Sequence, residues 1–407
     1  MCNLACGITT TVLGVVLVAA ASYLSFGLVP DLINNIVKGE VQLLNDTEQL
    51  ERFQEVPFPV QTNVRIFNIT NEAEVLAGGV PVVREVGPYM FKTIQKRVIE
   101  AMDEDTITYR RVDIMEFDAQ ASAPFTLDDN VTVVNVAYQG ILQTAEKIFP
   151  GLMVALNLAI RDIFGINSGP IMTVRVGDLL LDGLPICKDP GLIGIIACAQ
   201  IRSLAVDVRN LENMADGSML FSILKYKQKT PSDLYVVSRG IADANELGII
   251  STYNGSAYLQ NWINQTESEA PSVCNMINGT DSGIFPPFVN RDKSIFALNT
   301  DICRSAELRY QYDTVYEEIP VTRFSANEWF LDNDDGCFCL NATEGITRED
   351  GCLLRGAMEL YSCVGIELMT CGIRSRASQV VDFALPPNQS TLCPSADLKV
   401  KALEITI

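Results

Sequence analysis

The stretch VRIFNITNEAEVLAGGVPVVREVGPYMFKTIQKRVIEAMDEDTITYRRV (64–112) decides the fold class. Its apolar residues fall in short runs, VRIFNI, PVVREVGPYMF and DTITYRRV, separated by Gly78-Gly79 and by acidic turns. Runs rich in β-branched and aromatic residues, punctuated in this way, read as strands. Strand signals return at 130–138, and from 205 onward DLYVVSR, LGIIST and IPVTRF alternate with loops. Between these lies ILQTAEKIFPGLMVALNLAIRDIFG (141–165), a helical stretch that Pro150 breaks in two. The expectation is an α+β chain, a β-rich body with helices grouped at one end.

The second of those helices has Phe149, Leu152, Met153, Leu156, Ile160, Ile163 and Phe164 at the 3.6-residue repeat. Val154, Ala155 and Leu158 make its opposite face apolar too. A helix apolar all round is either buried or an exposed cap that meets a partner or a lipid. Both readings stand at this point.

Upstream, Ile8 to Val29 carries no charge, a length matched to a bilayer core, and Pro30-Asp31 closes it. A secretory signal cleaved near Ala19-Ala20-Ala21-Ser22 competes with a retained anchor. No basic segment precedes the apolar run, which continues through Tyr23, Leu24, Phe26, Leu28 and Val29; the anchor is favoured. Leu32, Ile33, Ile36, Val37, Val41 and Leu44 extend it outward as an amphipathic helix. Residues 1–7 then form a short cytoplasmic tail, in which Cys2 and Cys6 are either S-acylation sites or unmodified small residues.

Lys and Arg number 30 against 50 Asp and Glu, a formal charge of −20. That field repels a phosphate backbone, so nucleic acid is excluded as a partner. Histidine is absent, which removes imidazole-based triads, His-ligated metal and the usual acid switch. No glycine-rich phosphate loop occurs, and Asp332-Asn333-Asp334-Asp335-Gly336 lacks the later Glu of a calcium loop. No catalytic residue, metal site or cofactor is expected, and the chain is not read as an enzyme. Lys225, Lys227 and Lys229 alternate along a strand-like run and form the sole basic candidate.

Sequons occur at Asn45, Asn68, Asn130, Asn254, Asn264, Asn278, Asn341 and Asn388. With 25 Asn and 47 Ser plus Thr, chance would give about three, and the excess marks a glycosylated extracellular or lumenal surface. Of 12 cysteines, six crowd the segment 274–363: Cys274, Cys303, Cys337, Cys339, Cys352 and Cys363. In an oxidising compartment that density reads as disulfides, and it lacks the CxxC knuckle of structural zinc. Spacing alone does not choose the pairing.

FNITNEAEVLAGGVPVVREVGPYMFK (67–92), CNMINGTDSGIFPPF (274–288) and TDICRS (300–305) together resemble the class B scavenger receptor family, which includes the fatty-acid translocase and the lysosomal integral membrane protein. The blocks fall in family order over roughly residues 1–365. The resemblance implies an anchor at 8–29, then an ectodomain over 30–365 built as an irregular antiparallel β-barrel capped by a small helical bundle, with a hydrophobic tunnel towards the membrane. It places ligand-binding apical helices at 141–165 and pairs Cys274 with Cys337, Cys303 with Cys363, and Cys339 with Cys352.

Two departures matter. The apical lysine of fatty-acid-binding members has no counterpart in GINSGPIMTVR, where Arg161 and Arg175 are the nearest cations. Residues 366–407 read as a divergent tail without the family's second span. Cys187 and Cys198 have no family partners; they either pair with each other or stay buried thiols. The implied function is a receptor at the plasma membrane or in endosomes and lysosomes that binds and transfers lipids or lipoprotein particles. The alternative is a lysosomal sorting receptor holding a lumenal hydrolase through its apical helices. Lacking histidine, acid release there would need carboxyls of raised pKa.

Overall fold

Buried and exposed side chains alternate along Val83–Met102 (β2) and Thr106–Phe117 (β3), which pair antiparallel as one long hairpin. Its turn is closed by Asp103, whose N–H donates to the Thr106 carbonyl at 2.9 Å. The computed structural model describes residues 4–205, 208–262, 272–316, 318–326, 330 and 337. Val60–Ile69 (β1) flanks β2, while Tyr235–Ser238 (β9) and Ile250–Tyr253 (β10) extend the sheet beyond β3 in the order β1-β2-β3-β9-β10. Three smaller antiparallel sheets accompany it. They are Asn130–Val134 (β4) with Ile171–Arg175 (β5); Leu184–Ile186 (β6), Met219–Phe221 (β8) and Leu211–Asn213 (β7); and Ile295–Asn299 (β11), Arg304–Tyr316 (β12) and Ile319–Ser325 (β13).

The α+β class and the antiparallel sheets are as expected. Among the described residues no sheet closes on itself, so the expected closed barrel is not found there. At 130–138 the strand stops at Val134 and a helix begins at Val136, because Asn135 caps it: its Oδ1 accepts from the Tyr138 N–H at 3.1 Å. Buried side-chain amides at such positions fix where a helix starts.

The N-terminal rod comprises Leu4–Tyr23 (α1), a π-helical turn Leu24–Leu28, and Val29–Glu40 (α2). It is long and apolar enough to cross a membrane, and none of its most apolar window is buried. The periodic pattern ran on to Val41 and Leu44, yet the helix ends at Glu40. The reason is Leu43, which enters the core beneath β3, β9 and β10 instead. Arg239 fixes this crossing: its Nε donates to the Leu43 carbonyl at 2.9 Å and an Nη to Asn45 Oδ1 at 2.7 Å. A short helix, Glu48–Gln54 (α3), follows under a Thr47 cap and sends Leu50 and Phe53 into the same core.

Two further short helices, Glu72–Leu76 (α4) and Ala119–Ser122 (α5), sit at strand ends. Three longer ones cluster together: Val136–Ile148 (α6), Met153–Phe164 (α7) and Leu192–Leu204 (α8). Pro150 breaks α6 from α7 with a single 3-10 turn, as its missing N–H requires. Beneath the cluster lies the larger core, where Ala159, Ile163, Phe164, Met172, Leu180 and Met219 meet.

Candidate functional site

The helices α6, α7 and α8 leave an apolar cleft of about 440 Å³ between them. Val136, Gly140 and Ile141 of α6 line one side, Ile193, Ile196, Ala197 and Ile201 of α8 the other. Phe149, Leu152, Ala155 and Leu156 contribute from the α6–α7 joint, and Leu211 and Phe221 from the sheet below. Among the described residues Gln200 and Asn210 are the polar ones in the lining, and no charged side chain is among them. Asn210 is already committed, donating from Nδ2 to the Ser222 and Ile223 carbonyls at 2.9 and 3.1 Å. The cleft therefore offers shape and apolar surface, with no fixed charge for a headgroup.

Of the seven apolar residues expected on the apical helix, Phe149, Leu152 and Leu156 line the cleft. Met153 and Ile160 are half-buried. Ile163 and Phe164 are core residues, not surface ones, because the last turn of α7 packs on the sheet below. The face that is open to solvent carries Val154 (79% exposed) and Leu158 (67%). One half of the helix is therefore buried and the other half exposed.

Sequence reasoning missed α8 altogether. Its residues Leu192 (87% exposed) and Ile196 (74%) are among the most open apolar side chains after the N-terminal rod. The signal was present in GLIGIIACAQI (191–201), an uncharged run at helical length. Gly191 has no side chain to cap this helix, and Asp162 of α7 does so from outside, accepting from the Gly194 N–H at 3.0 Å. A carboxylate there also meets the positive end of the helix dipole. Cys198 of α8 is joined to Cys187, which follows β6.

Among the described residues, neither of the expected cations offers the cleft a carboxylate partner. Arg161 is exposed on α7 and outside the lining. Arg175 is held by Asp128 and Asp178, each at 2.8 Å, and by Asp182. The lysine run is a correction: Tyr226–Lys229 is a short helix (α9), not a strand, and Lys225 lies at its N-terminal boundary. Lys225 pairs with Glu212 at 2.9 Å and Lys227 with Asp301, so neither is an open anion contact.

Cys274 and Cys337 are joined, with Cα atoms 5.4 Å apart. Cys303 is disulfide-bonded as well; its expected partner Cys363, and the pair Cys339 and Cys352, lie outside the described residues, as does Cys2. Among the sequons, Asn45, Asn130 and Asn254 are exposed, while Asn68 and Asn278 are half-buried. Asn264, Asn341 and Asn388 fall outside the described residues.

The titrating groups bear on acid response. Burial raises the Asp281 carboxyl, but the Arg97 guanidinium against it and the nearby Arg111 hold it far below the usual range. Asp118, Asp129, Asp216, Asp301 and Glu307 are also displaced downward, each by hydrogen bonds or a cation. A carboxyl lowered on folding contributes stability in full above its unfolded value, about 3.9 for Asp, and loses it as pH falls towards the folded value. The thermal midpoint is accordingly expected to stay level from pH 7.5 to 5.0 and to fall below about pH 4. Scanning calorimetry across that range checks it; a drop already at pH 5.5 would refute it.

An α+β body with disulfides and an apolar N-terminal helix long enough to cross a membrane fits the class of membrane receptors. The chain belongs to the CD36 family, whose model matches residues 12–370. It is 30% identical over 408 aligned residues to sensory neuron membrane protein 2 of Drosophila melanogaster, covering 86% of this chain and 73% of that one. With the same protein of Heliothis virescens it shares 34% over 348 residues, 82% of this chain and 64% of the relative. Sensory neuron membrane protein 1 of Pediculus humanus subsp. corporis is 29% identical over 351 residues, covering 84% and 64%. The chain thus spans between about two thirds and three quarters of the length of these relatives.

Proposed function

We propose that the protein is a membrane receptor that takes neutral hydrophobic ligands into the α6–α8 cleft and passes them towards the bilayer. The single observation that supports this is the cleft of about 440 Å³, whose lining carries no charged side chain among the described residues. That volume is in the range of small-ligand pockets, roughly 300–1,000 Å³. Each methylene buried there gains about 0.8 kcal/mol, which compensates a carrier or a membrane for releasing an insoluble chain. The same lining predicts preference for an alcohol or ester over a carboxylate of equal length, since a buried anion without a partner is costly. The relatives are named as membrane proteins of sensory neurons, and a sensory cell surface is the setting in which we place this receptor.

Ala155→Trp tests the reading. Ala155 is exposed at the cleft and lines it, so the indole fills the space without disturbing the core. Binding of a fluorescent long-chain alcohol to the full chain in lipid nanodiscs, measured against empty nanodiscs, is expected to weaken at least tenfold, or about 1.4 kcal/mol. Unchanged affinity in this variant would place the ligand elsewhere.

A further inference from the structure

Helix α8 forms one whole side of the cleft, yet its own outer face is largely bare. Leu192 and Ile195, which do not line the cleft, are exposed, while Ala197, Cys198 and Ile201 pack on the core. Two contacts outside the lining fix its first turn and its middle, and near its end Arg202 donates to the Gly217 carbonyl. At its first turn, Asp162 accepts from the Gly194 N–H at 3.0 Å. The fit is close: a Cβ on Gly194 would lie 2.3 Å from Asp162 Cβ, so the Asp162 side chain packs directly on the α8 backbone. At its middle, buried Cys198 is joined to buried Cys187. Cys187 in turn donates its N–H to the Ile163 carbonyl at 2.7 Å, which ties the disulfide to the end of α7. Its backbone is left-handed, φ +57°, a conformation that persists for a residue with a Cβ where the surroundings over-determine it.

We infer that Asp162 and the Cys187–Cys198 disulfide are positioning groups: they pin α8 as a fixed wall of the cleft, and the length selectivity of the bound chain depends on them. The inference rests on the cleft being the ligand site. A fixed wall ends the cleft at one depth, so affinity rises by about fourfold per methylene, the equivalent of 0.8 kcal/mol, until the space is full, and then stops. A loosened wall yields to chains of any length. Both cysteines are buried, which places the disulfide out of reach of a soluble thiol in the folded state; it acts as a permanent clasp.

The test uses the full chain in nanodiscs and a series of primary alcohols from ten to sixteen carbons displacing a fluorescent probe. Asp162→Ala and the double variant Cys187→Ser with Cys198→Ser are expected to lose about tenfold for the best-fitting alcohol and to discriminate less than twofold between neighbours in the series. Asp162→Asn, which retains an acceptor for the Gly194 N–H, keeps the wild-type profile. Should the double variant fail to reach the membrane, Asp162→Ala carries the test with the disulfide intact. A profile unchanged in Asp162→Ala, a loss uniform across all lengths, or Asp162→Asn failing as badly as the alanine overturns the inference. A wild-type protein that binds none of the alcohols defeats the cleft reading instead.

Discussion

Asp281→Ala is expected to remove about 3–5 kcal/mol of stability, enough to keep most of the chain from maturing. The carboxylate accepts from Arg97 Nε at 2.8 Å and Arg97 Nη2 at 3.0 Å, and both side chains are fully buried. Tyr109 donates its hydroxyl to the same carboxylate at 2.9 Å, and the Gly283 N–H does so at 3.0 Å. The guanidinium also donates to the Phe53 carbonyl at 2.6 Å and lies 4.5 Å from the Phe53 ring centre. One ion pair thus joins the central hairpin, the helix after the anchor and the 274–288 block. Desolvating two ions brings little net gain while they are paired, but removing one strands the other in the interior, and that is the expensive state. Asp281→Asn keeps the shape without the charge and is expected to lose nearly as much. Urea midpoints of the three proteins check this, and an alanine variant within 1 kcal/mol of wild type would sink it.

Gly279→Ala is expected to be similarly damaging for a steric reason. The residue sits at φ +77°, and an added Cβ would lie 1.8 Å from the Phe296 carbonyl oxygen and 2.3 Å from its carbon. Those atoms belong to β11, which is fixed to the same loop by the Thr280 N–H on Phe296 at 3.2 Å and the Leu298 N–H on Thr280 at 2.8 Å. No flexible side chain is there to give way. Gly255 supplies the control, because it has the same φ of +77° with nothing within 4 Å. Gly255→Ala is expected to lose only the left-handed backbone penalty, about 1–2 kcal/mol. Gly279→Ala adds the clash and exceeds roughly 4 kcal/mol, a range reserved for backbone or core failures. Equal surface yields of the two variants in cells would show that the contact does not matter.

These two residues explain why CNMINGTDSGIFPPF was legible as a family block. Cys274 is disulfide-bonded, and buried Asn275 donates to the Trp262 carbonyl at 2.6 Å while accepting from the Trp262 N–H at 3.1 Å. Gly279 and Asp281 are held by close packing and charge. Four positions of the block, Cys274, Asn275, Gly279 and Asp281, thus have a structural reason for their residue type. Arg97, its partner, gave no such signal. In TIQKRVIEAM (93–102) it reads as one more cation on an alternating strand, and the carboxylate that makes it indispensable is 184 residues away.

The lysines at 225–229 misled for the opposite reason. Their alternation matched a strand, but a single turn of helix is short enough for tertiary contacts such as Lys227 with Asp301 to override local pattern.

Composition and pattern alone determined the apolar N-terminal rod, the α+β class and the break at Pro150. These follow from local periodicity and from counts, and both survive in one dimension. The cleft did not. Phe149 and Ile163 share one repeat, yet the first lines open space and the second is core. The difference lies in whether another element covers that turn of α7, and α8, which forms the opposite wall, meets Asp162 of α7 and is bonded to Cys187, contacts between residues far apart in the local pattern. Burial depends on pair distances between residues far apart in the chain, so only the folded arrangement could say which apolar face was left free to receive a ligand.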